Sequence, residues 1–245
     1  RFDNQIDQGS AVHWHGLRIE NAIDGVPGMT QPMTEPGSTF TYRFRAPDAG
    51  TYWYHPHNRS WEQMARGLYG GLVVEEASPP EVDADEILLI DDWRLTREAA
   101  IAGGFGALHD AAHAGRIGNW VTVNGNGAWT GRARRNDRLR LRLVNTANAR
   151  IFTLSIDGGR AWTIALDGQP LARPTATIRL VLGPAQRADL LVDVTAEAGK
   201  EMLLVSHERD GGFAIAAFAV TGSRAAEPRA APAPLPPNPL TEIRP

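Results

Sequence analysis

The sequence predicts an all-β fold made of two antiparallel β-sandwiches or barrels. Three observations carry that expectation. Short apolar or alternating runs recur along the chain, separated by Gly, Pro, Asn and Asp. One of them, RLRLRLV at residues 138–144, alternates strictly, as a half-buried strand does. The series also stops once, at a stretch of Pro, Ala, Ser and acidic residues without periodicity, and then starts again. A chain of 245 residues is long enough for one large domain or two ordinary ones.

Taken in order, residues 38–45 (STFTYRFR) put Phe40, Tyr42 and Phe44 on one face, after the turn signal at Glu35, Pro36 and Gly37. Residues 51–57 (TYWYHPH) read as an aromatic strand and residues 70–75 (GGLVVE) as an apolar one. The linker occupies residues 77–83 and divides the chain into units at 1–76 and 84–222. The second series runs through EILLIDDW from residue 86, residues 119–124, 138–144, 152–156, 162–166, 177–182, 189–194, 201–206 and 213–220. In 138–144 the leucines Leu139, Leu141 and Leu143 are expected inside. Arg138, Arg140 and Arg142 are expected on a solvated outer face. Residues 96–114 form the one helical candidate of note, broken by glycines. Residues 223–245 are rich in Pro and Ala and read as an extended connector toward a further domain. The chain opens on Arg1 in a strand-like stretch without a signal-peptide pattern, which reads as a start inside a fold.

Composition excludes several classes. Hydrophobic residues at 42% and charged residues at 22% suit a globular domain. A net charge of -3 argues against a nucleic-acid partner held by phosphate neutralisation. No apolar run is long enough for a membrane span. Lys200 is the sole lysine, a bias that fits genome composition. The absence of cysteine removes disulfides, thiolate zinc sites, iron–sulfur clusters, cysteine nucleophiles and any complete blue-copper centre within this chain.

The informative residues are two His-x-His pairs, His13-Trp14-His15 and His55-Pro56-His57. Two such pairs arise by chance about 0.02 times at this histidine frequency, so the pattern calls for an explanation. On a strand, residues i and i+2 share a face. Their Cα atoms lie roughly 6.5–7 Å apart, which suits two adjacent metals better than chelation of one. Imidazoles without thiolates suit Zn, Cu, Fe or Ni. His109 and His113, four apart, would share a helix face as an accessory metal site or, more commonly, a solvated pair. His207 reads as a strand-end residue, and Met29, Met33 and Met64 as gap fillers.

HWHG at residues 13–16, followed by GTYWYHPH at 50–57, resembles the first two copper motifs of the multicopper oxidases, the family of laccases, ascorbate oxidase, bilirubin oxidase and the bacterial copper-efflux oxidases. DGVPGMTQ, EPGSTFTYRF and RGLYGGLVVE fit the surrounding pattern. TVNG, RLRLRLVNT, DGQPL and LGPAQRADLLVDV are similar, more loosely, to the family's middle domain. The resemblance implies two cupredoxin-like Greek-key β-sandwich domains. It implies half of a trinuclear copper site, with His13 on the type 2 copper and His15, His55 and His57 on the type 3 coppers. Asp24 matches the acid that helps deliver protons during O2 reduction; the residue also reads as a turn former before Gly25.

Two departures matter. The family's type 1 copper needs a cysteine, and two further His-x-His motifs complete the cluster; this sequence has neither. The expectation is therefore domains 1 and 2 of a three-domain enzyme. That enzyme would couple one-electron oxidation of phenols, amines or metal ions to four-electron reduction of O2 to water, in the periplasm or secreted. A third cupredoxin domain, in the same or a separate polypeptide, is the expected partner, with O2 and a small reducing substrate. The competing readings are a non-catalytic scaffold of the same superfamily and a protein that holds copper without turnover.

Overall fold

The computed structural model describes residues 1–224 and 228–239. The N-terminal strands are β1 (Phe2–Asp3), β2 (Val12–His15), β3 (Thr39–Phe40) and β4 (Gly50–Pro56), then a single-turn helix α1 (Ser60–Gln63) and β5 (Gly70–Val74). β1 pairs with β3, and β2-β4-β5 form a three-stranded antiparallel sheet. The alternation expected over residues 38–45 survives as side-chain placement: Phe40, Tyr42 and Phe44 are half-buried and their neighbours exposed. The ladder itself covers only Thr39–Phe40, because no described strand pairs with residues 41–45. Trp14 packs on this aromatic face, 5.4 Å from Tyr42 and 5.0 Å from Phe44.

The larger sandwich follows: β6 (Ala84–Trp93), α2 (Leu108–Ala112), β7 (Trp120–Val123), β8 (Trp129–Arg135), β9 (Arg138–Asn145), β10 (Phe152–Asp157), β11 (Gly159–Leu166), β12 (Gln169–Thr177), β13 (Leu180–Leu182), β14 (Arg187–Val194), β15 (Glu201–Glu208) and β16 (Gly211–Ser223). One sheet has the order β12-β11-β14-β9-β6-β7 and the other β13-β10-β15-β16-β8. Two pairings are parallel, β6 with β9 and β16 with β8. Leu88, Leu139, Leu141, Leu143, Phe152, Leu204 and Phe218 fill the space between the sheets. β8 and β12 escaped the sequence reading: β8 carries three arginines and β12 two prolines or small polar residues between few apolar ones. The run at 177–182 is not one strand. It is a crossover, with β12 in one sheet and β13 in the other.

Residues 96–114 hold a helix only at Leu108–Ala112. Gly104 and Gly106 take positive φ before it, and Gly115 does so after it, so the backbone cannot propagate a helix.

The arginines of β9 are not on a solvated face; that expectation is overturned. Every residue of β9 is buried, and Arg140 is 0% exposed. The outer face of the central strands is covered by the N-terminal unit and by the C-terminal connector. Arg140 is shared between Glu76 at 2.7 Å and Asp189 at 2.6 Å. Arg142 bonds Asp85 and the Thr51 hydroxyl, and Arg138 bonds Asp193 and the carbonyl of Ala230. Alternation reports which side chains share a face, not whether water reaches that face.

The connector is likewise no free tether over residues 228–239. Leu235 is buried against Ile164, Ala165 and Leu191. Asn238 accepts from the Ala49 amide and donates to the carbonyls of Ala49 and Gly168, clamping both units. The remainder of the expected connector, residues 225–227 and 240–245, lies outside the described residues.

Candidate metal centre

β2 and β4 are antiparallel with His13 directly opposite His55 and His15 opposite Trp53. The pleat then places His13, His15, His55 and Trp53 on one face, with Trp14 and Tyr54 on the other. His57 follows on the same face, and its amide continues the ladder to the carbonyl of Ala11. The rings converge accordingly. His13 lies 5.5 Å from His15, 5.2 Å from His55 and 5.1 Å from His57, centroid to centroid. His15 and His55 are 5.4 Å apart, and His55 and His57 6.2 Å. Candidate ligand atoms of His13, His15 and His55 all fall within 4.8 Å of one another. Burial grades across the group, from His55 at 9% to the exposed His57, so the cluster is reachable from one side. Trp53, fully buried, packs against both His15 and His55 at 5.1 and 4.5 Å and fixes their ring planes from below.

Hydrogen bonds decide which nitrogens stay free. His13 Nδ1 donates to the Asp24 carbonyl at 2.9 Å and lies 3.1 Å from Asp24 Oδ1. His55 Nδ1 donates to the Pro56 carbonyl at 3.0 Å, which leaves its Nε2 as the acceptor facing His15 Nδ1 at 3.2 Å. Both Nε2 atoms of the facing pair His13 and His55 are therefore lone-pair donors, the arrangement found when a carbonyl or carboxylate orients a metal-binding imidazole. Burial, helped by the charge of Arg187, pushes His15 down to about 3. Burial pushes His55 down to about 4 and lowers His57 as well. At neutral pH these imidazoles are uncharged ligands.

Asp24 reaches His13 through a turn. A 3-10 segment at Asn21–Ile23 ends on Asp24, and Gly25 follows with φ +78°. A side chain on Gly25 would collide with the Val12 carbonyl, so glycine is what lets this turn close against β2. Asp24 thus stands in a turn before Gly25 and beside His13 in the same geometry. Its side chain is 31% exposed and in contact with solvent.

A donor set of neutral imidazoles with no thiolate and no cluster of carboxylates fits copper or another borderline ion and poorly fits Ca or Mg. No cysteine is available for a type 1 copper.

The sequence reading missed Trp53 as the floor of the cluster and Arg187 as a cation whose charge acts on His15. Trp53 lies between the quoted motif residues, one of several aromatics in TYWYH, and its orientation follows only from the pairing register. Arg187 comes from β14, far along the chain. The other histidines stay outside the cluster. His109 of exposed α2 and His113, the residue that ends it, stack at 4.3 Å, with His113 Nδ1 bonded to the His109 carbonyl. His207 Nε2 lies 2.8 Å from the Ser155 hydroxyl near the end of β15. Met33 packs on Gly9, and Met29 faces solvent.

Comparison with known proteins supports the same assignment. Two multicopper oxidase family models match, one over residues 1–79 and one over residues 85–222. Laccase-1 of Botryotinia fuckeliana is 36% identical over 203 residues, covering 78% of this chain and 34% of that protein. The multicopper oxidase MmcO of Mycobacterium tuberculosis is 30% identical over 260 residues, covering 94% of this chain and 50% of that protein. The crystal structure of Lac15, from a marine microbial metagenome, superposes with a TM-score of 0.85 at 46% identity, covering 98% of this chain and 60% of that one. The chain thus spans between a third and a half of the length of these curated relatives. Its sandwich is cupredoxin-like, the two family models together match nearly all of residues 1–222, and the chain belongs to the multicopper oxidase family.

Proposed function

We propose that this chain supplies domains 1 and 2, residues 1–76 and 84–222 joined by the linker at 77–83, of a laccase-like multicopper oxidase. In that reading it holds half of a trinuclear copper site. His13 serves the type 2 copper, and His15, His55 and His57 serve the type 3 coppers. The connector from residue 223 leads to a third cupredoxin domain that brings the remaining histidines and the type 1 cysteine. The observation that carries the reading is the cross-strand register of β2 and β4, which turns two sequence-distant His-x-His pairs into one cluster of rings about 5–6 Å apart.

Copper, when bound, supplies the one-electron chemistry that lets O2 be reduced to two waters with electrons taken from phenols, amines or metal ions. The residues of this chain do the rest of the local work. Trp53 fixes the planes of His15 and His55. The Pro56 carbonyl holds the tautomer of His55, and Asp24 holds that of His13. The reduction consumes four protons as well as four electrons, and Asp24 is the carboxylate beside the cluster that both touches a ligand and meets solvent. His15 and His55, kept neutral by burial, do not need to lose a proton before binding metal. A periplasmic or secreted location, as the family resemblance implies, completes the proposal.

The test is oxygen uptake with a phenolic donor, alongside copper counting, on this chain and on the same chain extended through the next domain. Turnover in the longer protein and none in the shorter supports the proposal. Robust turnover by the 245 residues alone overturns it.

A further inference from the structure

A cleft of about 570 Å3 lies between the N-terminal unit and the larger sandwich, separate from the histidine cluster. One wall is α1 and the turn after it, with Trp61 and Met64. The other is the loop around α2, with Ala111, and Ala149. These walls are mostly apolar, with Ser60 and Asn148 at their edges. Trp61 is 53% exposed, a large aromatic surface turned to the opening rather than into a core. Aromatic and thioether surfaces of this kind favour flat, polarisable ligands.

One cation faces this apolar space. Arg116 is 8% exposed, and its guanidinium lies 4.2 Å from the centre of the Phe105 ring. Arg66 stacks on the same ring at 4.6 Å. Two of the Arg116 N–H groups donate to the carbonyls of Ala102 and Gly103, which leaves three of its five. Among the described residues no carboxylate reaches Arg116 at ion-pair distance. Asp110 also lines the cleft, but both of its oxygens are held by Arg94. Burial and the charge of Arg94 hold Arg116 below the usual arginine range, against the opposing pull of Asp110 and Asp92, neither of which pairs with it directly.

We propose that this cleft binds a planar aromatic carboxylate, its ring against Trp61 and Met64 and its carboxylate on Arg116. The volume accommodates one or two fused rings. A carboxylate fits the planar donor fork of a guanidinium and supplies the missing charge. A neutral ring would fill the walls but leave Arg116 uncompensated, and a cation would be repelled by Arg66, Arg94 and Arg116.

The test is calorimetric titration of the 245-residue chain with 2-naphthoate, and with 2-naphthalenemethanol as its uncharged counterpart. The expected result is one naphthoate per chain, quenching of tryptophan fluorescence, and binding of the alcohol weaker by about tenfold or more. Arg116→Gln should bring naphthoate down to the level of the alcohol. Arg116 also ties its loop together, so a second variant guards against misfolding. Ala111→Trp, at an exposed helix position, fills the cleft and should abolish binding while the circular dichroism spectrum is kept. Failure of naphthoate to bind, equal affinity for the two probes, or binding indifferent to Ala111→Trp overturns the proposal.

Discussion

Arg187 of the larger sandwich fills the space where Gly16 would carry a side chain. Gly16 closes the HWHG motif with φ +86°, and the Arg187 guanidinium sits against it, bonded to the carbonyls of Ala185, Asp167 and Thr51. A residue of the middle strands is thereby in direct contact with the strand that carries His13 and His15. The orientation of the histidine cluster depends on the packing of one unit on the other.

That contact predicts a coupled pair. Gly16→Ala meets both a left-handed backbone and the Arg187 guanidinium, and should cost about 2–4 kcal/mol of stability. Arg187→Ala should remove the steric part of that cost. In a double-mutant cycle read by urea denaturation, the two changes should deviate from additivity by about 1 kcal/mol or more. Strict additivity would show that the contact carries no energy.

The buried ion-pair ladder makes a second prediction. Arg140→Met takes the main guanidinium from buried Glu76 and Asp189, leaves them only the longer pairs to Arg142 at 3.9 and 3.3 Å, and should destabilise the fold by about 2–4 kcal/mol. The triple change Arg140→Met, Glu76→Gln, Asp189→Asn removes the under-compensated carboxylates, while Arg142 keeps Asp85, and should recover part of the loss. Equal stability of wild type and Arg140→Met, by thermal melting or urea, would refute the argument.

A third prediction concerns pH. Asp91 is buried, and that burial pushes its carboxyl up to about 7, although the Tyr69 hydroxyl and the Asp92 amide both donate to it. The folded state therefore binds a proton more tightly than the unfolded chain, whose aspartates titrate near ~3.9. The stability from this group is full below that value and is lost as pH rises toward 7. Asp91→Asn should flatten the decline of stability between about pH 4 and 7 relative to wild type. Parallel pH profiles for the two proteins would show that Asp91 is ionised throughout.

The fourth prediction separates ligands from their supports and rests on the proposed enzyme. In the chain extended through a type 1 domain, His13→Ala or His55→Ala should abolish oxygen reduction and leave the blue band intact. Asp24→Asn should slow turnover with copper content largely kept, since it orients and protonates rather than ligates. The 245-residue chain loaded with copper should show no blue band, because that absorption arises from copper–thiolate bonding and the chain has no cysteine. Loss of the blue band in the His13 variant would remove His13 from the cluster.

The residues themselves determined the all-β class, most of the strands of the larger sandwich, the two His-x-His pairs and the turn at Asp24, whose place beside the cluster was implied only by the family resemblance. Each was legible because its signal is local. Period-2 alternation marks a strand, Asp-Gly marks a turn, and His-x-His on a strand puts two imidazoles on one face. Local signals cannot say what lies over a face. The tertiary structure alone decided that Arg138, Arg140 and Arg142 are buried, because the acids that meet Arg140 and Arg142 come from Glu76, Asp85 and Asp189, well separated from them in sequence. It alone decided that the run at 177–182 changes sheets, that residues 228–239 are docked through Leu235 and Asn238, and that His13 stands opposite His55. Register and burial are set by which distant segments find one another, and that information is spread over the whole chain rather than written at any one position.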